Sequence, residues 1–369
     1  MTFLTLICVV TFGSFLVGCA MTYLVRSASR RIGFVDKPDG VRKIHDKPVA
    51  LGGGIAIFAT ICVVVFAGYW IIPSERIGDQ STTMAILQFS MVLLITGLID
   101  DSRGMSGKYK LLLQVVAALI VAGSGTGLSE VTIFGYQIPL GILGTAFTVL
   151  WIIGAINSFN LLDGVDGLAA SVGIVLALTI GTVAILIGQN VMGIFAFVLS
   201  GAIGGFLFFN KAPATIYLGD TGSMFIGGLL GVIALRCATK EAATVAFAAP
   251  LAIWAIPIFD SVSAIVRRKL TGRSMYATDR GHIHHQLLVR GLSPNKAVLA
   301  IAGMCVVTGL AAIAGVYWQL SFLGPLAAIG TITLLVALRV FGHSEAALLN
   351  HRLMTLGRSI VPGSKLMNN

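Results

Sequence analysis

The chain has 369 residues, of which 56% are hydrophobic and only 11% charged, and its mean hydropathy is +0.94. A soluble domain carries about 25% charged residues, so this composition excludes a soluble or disordered chain, and five cysteines exclude a disulfide scaffold. The net charge of +10 points to a nucleic-acid partner only if the placement of the basic residues has no other explanation.

An all-α polytopic membrane protein is what remains. A helix needs about 20 apolar residues to cross the hydrocarbon core. Eleven runs approach that length: Phe3 to Val25, Leu51 to Ile72, Thr83 to Ile99, Leu111 to Gly127, Ile138 to Ile156, Leu168 to Ile187, Val191 to Phe209, Gly222 to Leu235, Ala242 to Ile265, Ala297 to Trp318 and Phe322 to Arg339. The fourth and eighth are short and glycine-rich, which makes them candidates for broken or re-entrant segments. The first has no basic residues ahead of it and is read as a retained span, not a signal peptide.

Eleven crossings divide the loops into two sets, and 22 of the 25 Lys and Arg fall in one of them. That asymmetry places this set in the cytoplasm, the N-terminus outside and the C-terminus inside. The basic excess is therefore topological; it requires no nucleic acid and favours anionic membrane lipid. All six histidines and eleven of the fifteen acids lie on, or at the mouths of spans facing, the same side. One transmembrane domain is expected over 1–341, followed by a polar cytoplasmic tail, 342–369.

The first cytoplasmic loop holds Asp36-Lys37-Pro38 and Arg42-Lys43-Ile44-His45-Asp46-Lys47-Pro48, then Gly52-Gly53-Gly54. Glycines opening a helix can bind phosphate through backbone N–H groups, but close helix packing selects the same residues. Asp100 and Asp101 end a wholly apolar run, where a carboxylate has the wrong sign for the helix dipole. Such a pair suggests divalent-metal or phosphate chemistry with a raised-pKa base. Lys108 and Lys110 follow within reach of a phosphate.

The segment Asn157-Ser158-Phe159-Asn160-Leu161-Leu162-Asp163-Gly164-Val165-Asp166-Gly167 repeats Asn or Asp every three residues. That spacing sets Asn157, Asn160 and Asp163 along one side of a helical turn, with oxygens suited to a hard cation. Asp220, between Gly219 and Thr221-Gly222, reads alone as an N-cap and together with the other loops as part of an acidic ring. Asp260, near the end of the ninth run, is expected to pair with Arg267 or Arg268. In the last large loop, Asp279-Arg280-Gly281-His282-Ile283-His284-His285 has no neighbouring cysteine and lacks the i, i+4 pairing of helical zinc sites, so anion binding is favoured over zinc.

The Asp100-Asp101 pair, Asn157-x-x-Asn160-x-x-Asp163-Gly164-x-Asp166-Gly167, Leu218-Gly219-Asp220-Thr221-Gly222 and His282-Ile283-His284-His285, in this order, resemble the polyprenyl-phosphate N-acetylhexosamine-1-phosphate transferases of glycosyltransferase family 4. The His-x-His-His form is similar to the bacterial branch that opens O-antigen, common-antigen or teichoic-acid linkage units. The resemblance implies a bacterial inner-membrane enzyme joining UDP-N-acetylglucosamine to undecaprenyl phosphate with release of UMP. Other UDP-N-acetylhexosamines are alternative donors, and a homodimer is compatible. Magnesium, or manganese in its place, is the implied cofactor, with Asn160 and Asp220 as ligands. Asp100, Asp101 and Asp163 are implied in catalysis, and Lys108, Asn157, Asp166, Arg280, His282, His284 and His285 in substrate binding.

Overall fold

A computed structural model describes residues 2–37, 48–71, 80–133, 136–238, 248–274 and 279–348. The Arg42 to Lys47 stretch of the first loop and the tail beyond residue 348 lie outside these. The described chain is helical: α1 Phe3–Ile32, α2 Gly53–Ile71, α3 Gln80–Arg103, α4 Gly107–Gly123, α5 Ile142–Leu162, α6 Leu168–Leu186, α7 Asn190–Asn210, α8 Gly219–Ala238, α9 Ala248–Ile253, α10 Ala255–Leu270, α11 Ile283–Val289, α12 Pro294–Tyr317 and α13 Leu323–Ala337. Residues 343–348 add a short α14. Two antiparallel hairpins complete the described elements, β1 Val35–Asp36 with β2 Val49–Ala50, and β3 Glu130–Ile133 with β4 Tyr136–Pro139.

Each of the eleven apolar runs lies largely on helix, and the protein is a multi-pass membrane protein. Among the described residues seven helices are long and apolar enough to cross a bilayer, and Gly53–Gly68 and Leu323–Ala337 are shorter apolar segments. The two glycine-rich runs differ from expectation, since α4 and α8 are both continuous. The ninth run is the interrupted one. Pro257 has no N–H to give Ile253, so the helix stops at Ile253 and restarts at Ala255.

The glycines of α8 have another use. This helix is buried on nearly every side, between α2, α3, α5 and α6. A Cβ on Gly97 would lie 2.3 Å from the Thr221 Cα, and one on Gly54 would lie 2.4 Å from the Gly222 nitrogen. Backbone touches backbone where α2 and α3 meet the start of α8, and only small residues allow that approach. The Gly52–Gly54 run is thus packing and not a phosphate cradle: Gly53 N–H donates to Tyr217 O (3.0 Å) and Gly54 N–H to Leu218 O (3.3 Å).

The expected tail begins by docking. Phe341 is buried edge-to-face on Phe259 of α10, with ring centroids 5.5 Å apart, and Glu345 of α14 is buried.

Candidate active site

One end of the bundle gathers the C-termini of α3 and α5 and the N-termini of α4 and α8. Asp101, in the last turn of α3, caps α8. Its Oδ1 accepts from Asp220 N–H (2.8 Å), and its Oδ2 accepts from Thr221 N–H (3.0 Å) and Thr221 Oγ1 (2.5 Å). A carboxylate at the start of a helix satisfies orphan N–H groups and complements the dipole, which explains an Asp so poorly placed for its own helix. Gly219 is obligatory here: its φ is +70°, and a Cβ would lie 2.5 Å from Asp101 Oδ2.

Asp220 is the hub. Its Oδ2 lies 2.7 Å from Lys110 Nζ, which lies 2.7 Å from Asp100 Oδ2 as well. Asn160 Nδ2 donates to Asp220 Oδ1 and to Ser223 Oγ (2.8 Å). The remaining oxygen of Asp100 accepts from Met105 N–H at 2.7 Å. Lys110, not Lys108, is the lysine brought into the cluster; Lys108 is on an exposed face. The buried stripe of α4, Gln114, Ala117, Ala118 and Val121, extends back by helical spacing to Lys110. Asn157 lies one turn deeper than Asn160, and its Nδ2 donates to Gln114 Oε1 (2.7 Å) and to Ile153 O (2.8 Å).

These ends enclose a cavity of about 820 Å3. Asp101, Asn160, Asp163, Asp166 and Asp220 line it, joined by Asp36 and Tyr217. Asp36 arrives through the β1–β2 hairpin, whose Ala50 bridges to Ile216. Asp166 Oδ2 accepts from Ala214 N–H (2.9 Å), and Asn210 accepts from Gly167 N–H (3.0 Å) and donates to Ile216 O (2.9 Å). Burial, then the carboxylates of Asp220, Asp101 and Asp166, push the Asp163 carboxyl up to about 8. Burial, then Asp166 and Asp36, push the Tyr217 phenol up to about 12.

The histidine segment forms an adjoining wall. His284 is buried with both ring nitrogens unbonded, and a Cβ on Gly164 would lie 2.4 Å from its Nε2, so the ring seats directly on the Asp163–Gly167 loop. Burial and the neighbouring His285 hold His284 down at about 4, which keeps it neutral. His282 is turned away: its Nδ1 is 3.0 Å from Asp260 Oδ2, and Asp260 Oδ1 accepts from Ile283 N–H at 2.9 Å. Asp260 therefore pairs with His282, in place of the expected Arg267 or Arg268. His285 is half-buried and Arg280 exposed.

Residues 83–238 match the family model described as glycosyl transferase family 4. A Bacillus subtilis (strain 168) protein named "Probable undecaprenyl-phosphate N-acetylglucosaminyl 1-phosphate transferase" is 34% identical over 283 residues, covering 76% of this chain and 77% of that one. The chain belongs to glycosyl transferase family 4. Two further relatives are each 30% identical. One is the decaprenyl-phosphate N-acetylglucosaminephosphotransferase of Mycobacterium tuberculosis (strain CDC 1551 / Oshkosh), matched over 85% of both chains. The other is the undecaprenyl-phosphate alpha-N-acetylglucosaminyl 1-phosphate transferase of Escherichia coli (strain K12), matched over 78% of both. The stretch matched by the family model carries the Asp100–Asp101 pair, the 157–167 loop and Asp220, while Asp36 and the histidine wall lie outside it.

The donors fit a hard divalent cation. Asp163 and Asp220 face one cavity, and the Asn160 amide and Ser223 hydroxyl stand beside Asp220. No three His, Cys, Asp or Glu converge as a metal-holding group among the described residues. Magnesium needs only one or two carboxylates when phosphate and water supply the rest.

Proposed function

We propose that this family 4 member transfers N-acetylglucosamine 1-phosphate from UDP-N-acetylglucosamine to undecaprenyl phosphate, releasing UMP and starting a lipid-linked envelope polysaccharide. The observation that carries this reading is the cavity wall: five carboxylates, and no Lys, Arg or His among its described lining residues. Such a wall repels two phosphorylated substrates until a cation neutralises it, which is the requirement of phosphoryl transfer between anions. The names of the three relatives specify the same transferred group on a polyprenyl phosphate. The 22-to-3 basic asymmetry supports a cytoplasmic cavity, where a lipid that cannot leave the bilayer would meet a nucleotide that cannot enter it.

In the reaction a lipid phosphate oxygen bonds to the sugar-bearing phosphorus, and the bond from that phosphorus to the oxygen departing with UMP breaks. Magnesium, or manganese in its place, would supply charge neutralisation and polarisation of the phosphorus when bound. Asp220 and Asn160 would hold the cation. Asp101 fixes Asp220 by capping α8, and Lys110 keeps one positive charge between Asp100 and Asp220. Asp163 faces the same cavity, and its carboxyl, pushed up to about 8, carries a proton at neutral pH that it can exchange with a bound phosphate. Arg280, His284 and His285, on the wall that adjoins the cavity loop through Gly164, would contact the nucleotide sugar.

Full-length protein in detergent with undecaprenyl phosphate and a panel of UDP-sugars decides the reading. UMP should appear fastest with UDP-N-acetylglucosamine, stop in excess chelator and return with magnesium. A preference for the fucosamine, quinovosamine or muramoyl-pentapeptide donor would reassign the sugar, and no UMP with any donor would overturn the transferase.

Asp163 makes a separate prediction. Its carboxyl sits near 8 in the folded chain against an ordinary 3.8, so the folded state holds a proton that the unfolded state has released. The stability this contributes is complete below the ordinary value and is lost as pH rises through 8. Chelator-treated wild type should therefore lose melting temperature across the window from about pH 4 to about pH 8 more steeply than Asp163→Asn. Parallel slopes would show that the carboxyl is already ionised.

A further inference from the structure

The histidine wall is held at two points on one face of α10. Asp260 and Arg267 are seven residues apart, two helical turns, so their side chains leave the same side. Asp260 grips the far end of the segment through His282 and the Ile283 N–H. Arg267 grips the near end: Nη2 lies 2.7 Å and Nε 3.3 Å from the two oxygens of Asp279, whose Oδ1 also accepts from Gly281 N–H at 2.8 Å. The fit is close, since a Cβ on Gly281 would lie 2.3 Å from the Arg267 Cζ. Burial opposes ionisation of Asp279, but the Arg267 hydrogen bond and the Gly281 N–H hold its carboxyl below the ordinary range.

The third member comes from beyond the last apolar helix. Glu345 pairs with Arg267 Nη1, the guanidinium nitrogen that Asp279 does not use, and its other oxygen accepts from Ser344 Oγ at 2.7 Å. Glu345 is only 6% exposed, while its α14 neighbours Ser344, Ala346 and Ala347 are exposed. A lone carboxylate buried on an otherwise solvated turn would be costly without a specific partner. The approach is fixed by Phe341 on Phe259 and by Gly342, where φ is +78° and a Cβ would lie 2.7 Å from the Phe259 ring. A second strap ties the same region, with Arg290 Nη2 donating to Arg339 O. Arg268 Nε lies 3.9 Å from Asp279, so two arginines and two carboxylates balance within the cluster.

The geometry points to Glu345 as a positioning residue for nucleotide-sugar binding: by fixing the Arg267 fork it holds Asp279 and the Gly281–Ile283 backbone, and so seats His284 on the loop that carries Asp163. This inference rests on the transferase reading for its substrate and on the Glu345–Arg267–Asp279 chain for its mechanism. Glu345 pairs with Arg267 and Ser344, neither of which lines the cavity, so its effect passes through Arg267.

Two measurements on the full-length protein test it, with Glu345→Gln, Glu345→Ala and Glu345→Asp. In hydrogen exchange, Gln and Ala should speed exchange of the 279–287 amides about tenfold while the amides of α8 stay at the wild-type rate. In steady-state kinetics, Gln should raise KM for UDP-N-acetylglucosamine about tenfold and leave KM for undecaprenyl phosphate within about twofold, and Asp should restore part of the loss. Unchanged exchange at 279–287, or faster exchange everywhere including α8, would overturn the clamp. Equal rises in both KM values would overturn its link to the nucleotide. If wild type releases no UMP, the transferase reading fails, and the exchange comparison still decides the clamp.

Discussion

Asp220→Ala should lower UMP release by about three orders of magnitude while leaving the melting temperature of the solubilised protein nearly unchanged. The asymmetry follows from what this carboxylate touches. It lies in a wall with four other carboxylates, so removing it relieves repulsion on Asp163 and Asp101 even as it frees Lys110 and Asn160. Lys110 keeps Asp100 at 2.7 Å, Asn160 keeps Ser223 at 2.8 Å, and the backbone N–H of residue 220 still reaches Asp101. The fold loses little, but the cavity loses the carboxylate nearest the Asn160 amide, and with it the proposed cation site. Release within tenfold of wild type, as ordinary substrate-contact losses give, would remove Asp220 from the metal site (about tenfold is the scale of an outer contact). A large drop in melting temperature would instead make it a structural cap.

Asp101→Ala should abolish activity by a different route and should lower stability at the same time. Three donors lose their acceptor together: the N–H groups of Asp220 and Thr221 and the Thr221 hydroxyl. A buried donor left unsatisfied costs about 1–3 kcal/mol, and a lost cap about 1 kcal/mol, so a net loss of about 3 kcal/mol after partial relaxation is expected. Thr221 is fully buried against Gly97, which leaves little room for water to replace the carboxylate. Asp101→Asn retains one acceptor oxygen and should fall between wild type and Ala in both thermal melting and UMP release. An Asp101→Ala protein that is inactive yet melts like wild type would show that this carboxylate meets the reacting phosphates directly. Comparing Asp220 and Asp101 in one assay thus separates a loss confined to the reaction from the loss of a helix cap.

Which residues could be read in advance follows from what fixes each position. Asp100, Asp101, Asp163 and Asp220 stand out because carboxylates at the mouths of apolar helices are expensive without a role, and Asn160 because it shares a three-residue spacing with Asn157 and Asp163. Lys110 is present in the periodicity of α4, whose buried stripe it extends, but a lysine at a membrane interface is also an ordinary anchor, and the family resemblance points to Lys108 instead. Asp36 and Glu345 carried no local signal. One reaches the cavity by hairpin pairing and the bridge from Ala50 to Ile216, the other by a turn docked on Phe259. Asp260 likewise pairs away from its nearest cations in sequence. Arg267 and Arg268 are near in sequence, but Arg267 is taken by Asp279 and Glu345, leaving Asp260 to His282.

By itself the sequence determined the solvent and the inventory of this protein, and the uneven placement of its basic residues. Apolar runs of bilayer length leave no other medium for the chain, and charge asymmetry across the loops follows from the cost of moving Lys and Arg through it. Only the tertiary structure decided who meets whom: that Asp101 caps a helix 119 residues away, that glycines at 54 and 97 are there so that backbones can touch, and that a carboxylate from the C-terminal segment steadies the histidine wall. Those pairings depend on helix packing between segments far apart in sequence, where spacing along the chain carries no information about distance.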